Sequence, residues 1–383
     1  MSSPNPVLTT LIFVFGVQAI VLSVLLLRKR PRQQANLFLA LLVFFFALMA
    51  LNIALVNVLA ARDLLHIFRY FQLELLFGIG PALYFYTRSI SDPGFKFSKR
   101  DFVHFVPVVL EFLFYRTAFY RLGADGLYQS PPHPYTKIYL TEQWLGILSI
   151  TVYTLVSLGL LHKYQVWLKQ HYSNVEKKSL DWLKIPVIVY SAFWIGWNLL
   201  TQIDRIVFDR ALRETYFLPA FVGLAAVTNW IGFKGYLRSQ PGVSGYSKDT
   251  PDPGAKKFDR EFAQRITALM EAQKPFLNPD LDLSGLSALL EANPKEVSHT
   301  INRGFSKNFH EFVNQYRIDA FKERMQQPGS HKMTLLGHAL ECGFNSKSTF
   351  NDVFKKATGK TPSAYVRTLK KRSEKKHPDD QRG

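Results

Sequence analysis

The run VLTTLIFVFGVQAIVLSVLLL, residues 7–27, carries no charged residue and ends directly on Arg28, Lys29 and Arg30. A helix needs about 20 apolar residues to cross ~30 Å of hydrocarbon. Lipid offers no partners to backbone N–H and C=O groups, so such a stretch is confined to a helix that satisfies them internally. The run is too long for the apolar part of a secretory signal, and no small-residue cleavage site follows it, so it reads as an uncleaved span. Six further segments qualify approximately: 36–60, 66–87, 102–120, 144–162, 185–203 and 216–233. Tyr84, Tyr86, Trp144, Trp182 and Trp230 fall near segment ends, as an interfacial aromatic belt requires. The mean hydropathy of -0.01 hides this segregation. The expected fold class is all-α, with a seven-helix transmembrane bundle over 1–235.

Charge sets the expected orientation. Loops one, three and five hold 13 Lys and Arg, among them Arg28, Lys29, Arg88, Lys99, Lys163 and Lys178, whereas loops two, four and six hold 6. Basic loops stay in the cytoplasm. The N-terminus is therefore expected outside a bacterial inner membrane, and the C-terminal region in the cytoplasm. Of the formal charge of +18, residues from Lys256 onward carry +8. A basic, polar C-terminal region points to nucleic acid.

Some apolar spans keep charge. Arg69 and Glu74 fall in the third, and Glu111 and Arg116 in the fourth. Each costs ~2.5–3.5 kcal/mol at the centre of a membrane even on the lenient scale. Two readings stand for them: a pocket that senses a small-molecule or envelope signal, or internal ion pairs that hold the bundle together.

Residues 236–257 include RSQPGVSGYSKDTPDPG, in which Pro, Gly and Ser cluster without an apolar period, and read as a flexible linker. A soluble domain is expected over 258–370. Phe258, Phe262, Ile266 and Leu269 form a helical face, either to relay a signal or to pack against the DNA-binding helices. Residues 371–383 read as a charged, disordered tail. The single cysteine, Cys342, excludes an intrachain disulfide and reads as a buried thiol on an apolar helix face.

Two helix-turn-helix units are legible in the soluble part. In 281–305, Leu283, Leu286, Leu289 and Leu290 make one apolar face, Asn293 is an N-cap and Pro294 suits the first helical position. Val297 and Ile301 anchor the second helix, which turns Lys295, Ser298, His299, Asn302 and Arg303 outward. A linking helix comes next at about 308–326, with Phe309, Phe312, Val313, Tyr316 and Ile318 spaced to pack. In 334–358, Leu335, Leu336, Ala339 and Leu340 form a scaffold helix that Gly343 ends. A second recognition helix, 346–357, buries Phe350 and Phe354 and turns out Lys347, Ser348, Asn351 and Lys355. Such side chains can donate to phosphates and base edges.

The stretch CGFNSKSTFNDVFKKATGKTPSAYVR resembles the signature of AraC/XylS-type DNA-binding domains: Gly-Phe-x-Ser-x-Ser-x-Phe, Phe-Lys, then Gly-x-Thr-Pro-x-x-Tyr. NFHEFVNQYRIDAFKERM similarly resembles that family's linking helix. By architecture the whole chain looks like the membrane-bound members of that family. The resemblance implies two reading heads on one monomer, entering major-groove faces about one turn, ~34 Å, apart. It carries base contacts onto Lys295, Ser298 and His299, and onto Lys347, Ser348 and Asn351. His338, Glu291 and Asp352 depart from the family pattern.

No enzyme is legible: there is no P-loop, no nucleophile elbow, and no phosphoacceptor histidine beside a glycine-rich ATP pocket. No Cys/His spacing suits zinc, and no cofactor is expected. The expected function is a membrane-bound one-component transcriptional regulator. Its expected partners are double-stranded promoter DNA, the lipid bilayer and RNA polymerase, with a homodimer allowed. The alternatives are a transporter or membrane enzyme with an autoregulatory DNA-binding tail, and a regulator merely anchored at the membrane.

Overall fold

The structure is a computed structural model. It describes residues 5–31, 33–60, 75–92, 94–114, 134–176, 178–207, 218–237, 259–327, 329 and 332–376. Its named elements are all helical, and one isolated bridge, Tyr172 to Asp282, is the sole β pairing among the described residues. The chain divides into two compact units. One comprises Met1–Lys163 with Leu180–Lys248, and the other Tyr164–Ser179 with Asp249–Gly383.

In the first unit, helices Pro6–Arg28, Gln34–Ala60 and Leu218–Leu237 pack on one another, and Ile79–Ser91 packs on Gln34–Ala60. The first helix is apolar on every side. Ile12, Ala19 and Leu26 are buried, while Leu11, Val14, Val21 and Leu25 face outward. A helix apolar all round suits a lipid surface, not water. The contacts between helices use small residues and side-chain hydrogen bonds, as they do in lipid. A Cβ on Gly232 would come within 2.5 Å of Leu22 and 3.0 Å of Val43. Ser23 donates to the Ala40 carbonyl at 2.9 Å, and Asn229 to the Phe15 carbonyl at 3.2 Å.

Among the described residues, four helices are long and apolar enough to cross a membrane: Pro6–Arg28, Gln34–Leu55, Thr141–His171 and Asp181–Asp204. They coincide with expected spans one, two, five and six. The helix Leu218–Leu237 occupies the seventh position. Span three falls partly outside the described residues, and its described part is helical from Leu76 onward. Leu76–Gly78 is a 3₁₀ turn that leads directly into the helix Ile79–Ser91. The start of this stretch is capped by a side chain: the buried Glu111 carboxylate accepts from the amides of Leu76 at 2.6 Å and Phe77 at 3.1 Å. Those orphan donors would otherwise lie unsatisfied in an apolar layer.

The second unit is built on strong caps. Asp259, Asp282, Asn293, Asn308, Thr334 and Ser346 each accept from a backbone amide in the first turn of the next helix. Asn308 and Glu311 complete a reciprocal capping box. The linking helix Phe309–Gln326 organises two cores. Its first half puts Phe309, Phe312 and Val313 among Phe262, Ile266, Met270, Leu286, Val297 and Ile301. Its second half puts Ile318, Phe321 and Met325 among Ala339, Cys342, Phe344, Phe350 and Phe354. The helix Arg260–Gln273 thus packs into the first core through Phe262, Ile266 and Met270. Cys342 is buried, and burial pushes its thiol pKa up. The last helix, Pro362–Lys376, runs on into the stretch expected as a charged tail.

Candidate nucleic-acid interface

Each core carries a short helix and then a longer one. In the first pair, Leu283–Leu289 precedes Pro294–Gly304. The turn between them is tight enough to force Glu291 to a φ of 52°, in the left-handed region. Val297 and Ile301 are fully buried and fix the rotation of the longer helix. That rotation leaves Lys295, Asn302 and Arg303 exposed, with Ser298 and His299 partly so. Asn302 donates to the Ser298 hydroxyl at 3.4 Å.

In the second pair, Leu335–Glu341 precedes Lys347–Thr358. Gly343 makes the turn with a φ of 89°. No side chain fits there, because a Cβ would stand 2.3 Å from the Phe276 carbonyl and 2.9 Å from Arg317 Nε. Phe350 and Phe354 point into the core, which leaves Lys347, Ser348 and Lys355 exposed and Asn351 partly exposed. Asp352 is exposed beside them. His338, on the shorter helix, is buried. Lys356 pairs with Glu311 at 2.8 Å, which ties this helix to the start of the linking helix.

The nine expected DNA-facing residues thus fall on two longer helices, each opposite the residues that anchor it. Of the four expected intramembrane charges, Glu111 accepts from the amides of Leu76 and Phe77. Arg69, Glu74 and Arg116 lie outside the described residues.

One component of this unit is not legible in the sequence. Residues Tyr164–Ser179 belong to it. Ser173 is a buried hub. Its hydroxyl donates to the Leu281 carbonyl at 2.5 Å and accepts from Arg317 Nη2 at 3.1 Å. Its carbonyl accepts from Asn314 at 3.1 Å and bonds His310 Nδ1 at 2.7 Å. Three residues further on, the Glu176 carboxylate meets the second reading helix. It accepts from Ser348 at 2.6 Å, from Thr349 at 2.5 Å, and from Ser346. A signal for the hub was present in sequence: His310, Asn314 and Arg317 form a polar stripe, at i, i+4 and i+7, along an otherwise apolar helix face. Buried polar groups demand partners. Nothing in the local sequence named Ser173 or Glu176 as those partners.

Comparison with known families places a helix-turn-helix domain of the AraC type at residues 286–368. The match begins inside the first short helix and ends in the last helix, so it takes in both helix pairs and the linking helix. This segment supports a DNA-binding transcription regulator. It covers less than a quarter of the chain, and the unit of apolar helices lies outside it. A search of curated proteins found no match. A search of solved structures found none either.

Proposed function

We propose that this chain is a membrane-bound one-component transcriptional regulator of the AraC type. The apolar helices span a bacterial inner membrane and sense a signal at or beyond it. Two helix-turn-helix units on the cytoplasmic side bind double-stranded DNA. Lys295, Ser298, His299, Asn302 and Arg303 read through the first unit, and Lys347, Ser348, Asn351 and Lys355 through the second. Signal and response then share one polypeptide, without phosphotransfer.

The observation that carries this reading is the family match over 286–368, together with two helix pairs whose cationic and hydroxyl side chains face away from their cores. The placement of the DNA-binding part in the cytoplasm is supported by a second observation. Tyr164–Ser179, in the lysine-rich loop after expected span five, shares one compact unit with the C-terminal helices. A shared unit supports placing both on one side of a bilayer, and loop charge favours the cytoplasmic side.

The test is selection of genomic DNA fragments by the full chain in lipid nanodiscs at about 150 mM salt, beside a Lys295→Ala/Lys347→Ala variant. A split motif recovered by the parent protein and relaxed or lost in the variant is the expected result. Fragments held without any shared motif would overturn the regulator reading.

A further inference from the structure

Glu176 places a carboxylate at the N-terminus of the second reading helix. Its oxygens accept hydrogen bonds from the hydroxyls of Ser346, Ser348 and Thr349. This is the end of a helix that favours an anion, because its first amides point outward and its dipole is positive there. It is also the end at which a reading helix meets a DNA phosphate or base edge. Ser346 is the N-cap of that helix, and Ser348 is one of the residues assigned to DNA.

We propose that Glu176 is an autoinhibitory anion: it occupies the DNA-facing end of the second reading helix, and DNA gains that end only when the carboxylate withdraws. The proposal rests on the reading of this chain as a DNA-binding regulator.

Three features make the contact a device and not an incidental surface bond. First, the segment bearing Glu176 is fixed nearby. The Ser173 hub is buried and held by Arg317, Asn314, His310 and the Leu281 carbonyl. Tyr172 bridges to Asp282, and Lys178 stacks on the Tyr172 ring at 3.5 Å. Second, Glu176 itself is exposed. A solvated carboxylate on a helix terminus is held weakly enough to exchange, whereas the buried hub is not. Ser173 is thus the pivot and Glu176 the releasable arm. Third, the arm is covalently continuous with the apolar helix Pro134–His171, the last two turns of which belong to this unit. A rotation or shift of that helix acts on Glu176 through five residues.

Electrostatics make the occupancy exclusive. Bound carboxylate and DNA phosphate carry the same charge and seek the same hydroxyls, so the two cannot share the site. If the released form is a minor population, the apparent affinity for DNA falls by that fraction.

The test uses the full chain in nanodiscs and compares the parent protein with Glu176→Ala. Two quantities are read: hydrogen exchange over 345–350 without DNA, and affinity for the selected DNA motif. Glu176→Ala is expected to speed exchange over 345–350 and to tighten DNA binding about 5- to 10-fold, with Glu176→Gln intermediate. Unchanged exchange would show that the carboxylate does not seat on the helix in solution, and would overturn the proposal. Faster exchange with unchanged or weaker DNA binding would overturn it too, and would make Glu176 a support for Ser348. If neither protein selects a motif, the regulator reading falls, and the exchange result still decides whether Glu176 seats on the helix.

Discussion

Arg317 and Ser173 are 144 residues apart in sequence, and their side chains meet at 3.1 Å in the interior of the DNA-binding unit. The guanidinium also donates to the carbonyls of Phe276 and Asn278, each at 2.8 Å, and to Asn314 at 3.2 Å. Burial lowers its pKa to about 10, which leaves it charged at neutral pH. Four acceptors from three separate segments therefore converge on one planar cation, the geometry that arginine suits and lysine does not. Removing it breaks these charge-assisted bonds and strands the buried Phe276 carbonyl, at about 1–3 kcal/mol for that group alone, while the Asn278 carbonyl keeps the Leu281 amide. Arg317→Ala is expected to destabilise the C-terminal unit by about 3 kcal/mol, and Arg317→Lys by somewhat less. Urea-dependent pulse proteolysis of the full chain reads this as an earlier release of the C-terminal fragment. A midpoint unchanged in both variants would remove the junction from the account.

Gly343 is the tightest position in the same junction. Its φ of 89° and the 2.3 Å gap to the Phe276 carbonyl act together against any side chain. Gly343→Ala is expected to cost more than about 3 kcal/mol, above the usual penalty for strain at a left-handed residue, because backbone must move as well. Loss of the folded C-terminal fragment in the same proteolysis assay is the predicted outcome.

Glu291 shows the opposite case. It holds a φ of 52° at an exposed turn, where glycine is free of strain. Glu291→Gly is expected to stabilise the first helix pair by about 0.5–1 kcal/mol, while a β-branched residue there destabilises it. The urea midpoints of Glu291→Gly and Glu291→Val should move in opposite directions about the parent value.

His310 makes the hub sensitive to acid. Burial lowers its pKa to about 4, opposed by its bond to the Ser173 carbonyl and assisted by Lys169 and Arg317, with Glu311 acting the other way. An unfolded histidine titrates near 6.5. Between these values the unfolded chain binds more protons, so the contribution of neutral His310 is complete above about pH 6.5 and is lost as pH falls toward 4. At about 1.4 kcal/mol per unit, this amounts to roughly 3 kcal/mol. Stability of the C-terminal unit should fall across that window in the parent and fall less steeply in His310→Asn. Parallel pH profiles for the two proteins would contradict it.

The elements with a strong local signal were legible in sequence. Asn293-Pro294 set the start of one reading helix, because cap chemistry acts within three residues. Phe350 and Phe354 oriented the second helix through helical spacing alone. The cap on the helical stretch that begins at Leu76 was not legible, because the carboxylate that supplies it, Glu111, lies 35 residues away. Glu176 was hidden for the same reason, 172 residues from Ser348. Periodicity reports which face of a helix is buried, and it is silent about what covers that face. Here the polar stripe of His310, Asn314 and Arg317 announced a partner that only the tertiary fold supplied.

The most direct test of the central claim is the affinity of the full chain, in nanodiscs at about 150 mM salt, for its selected motif against a scrambled duplex of equal length. A specific regulator should prefer the motif by at least about 10³-fold, with the preference reduced in Lys295→Ala/Lys347→Ala. A ratio near one, with binding that falls steeply as salt rises, would mean phosphate attraction alone and would contradict the assignment of this protein as a sequence-specific regulator.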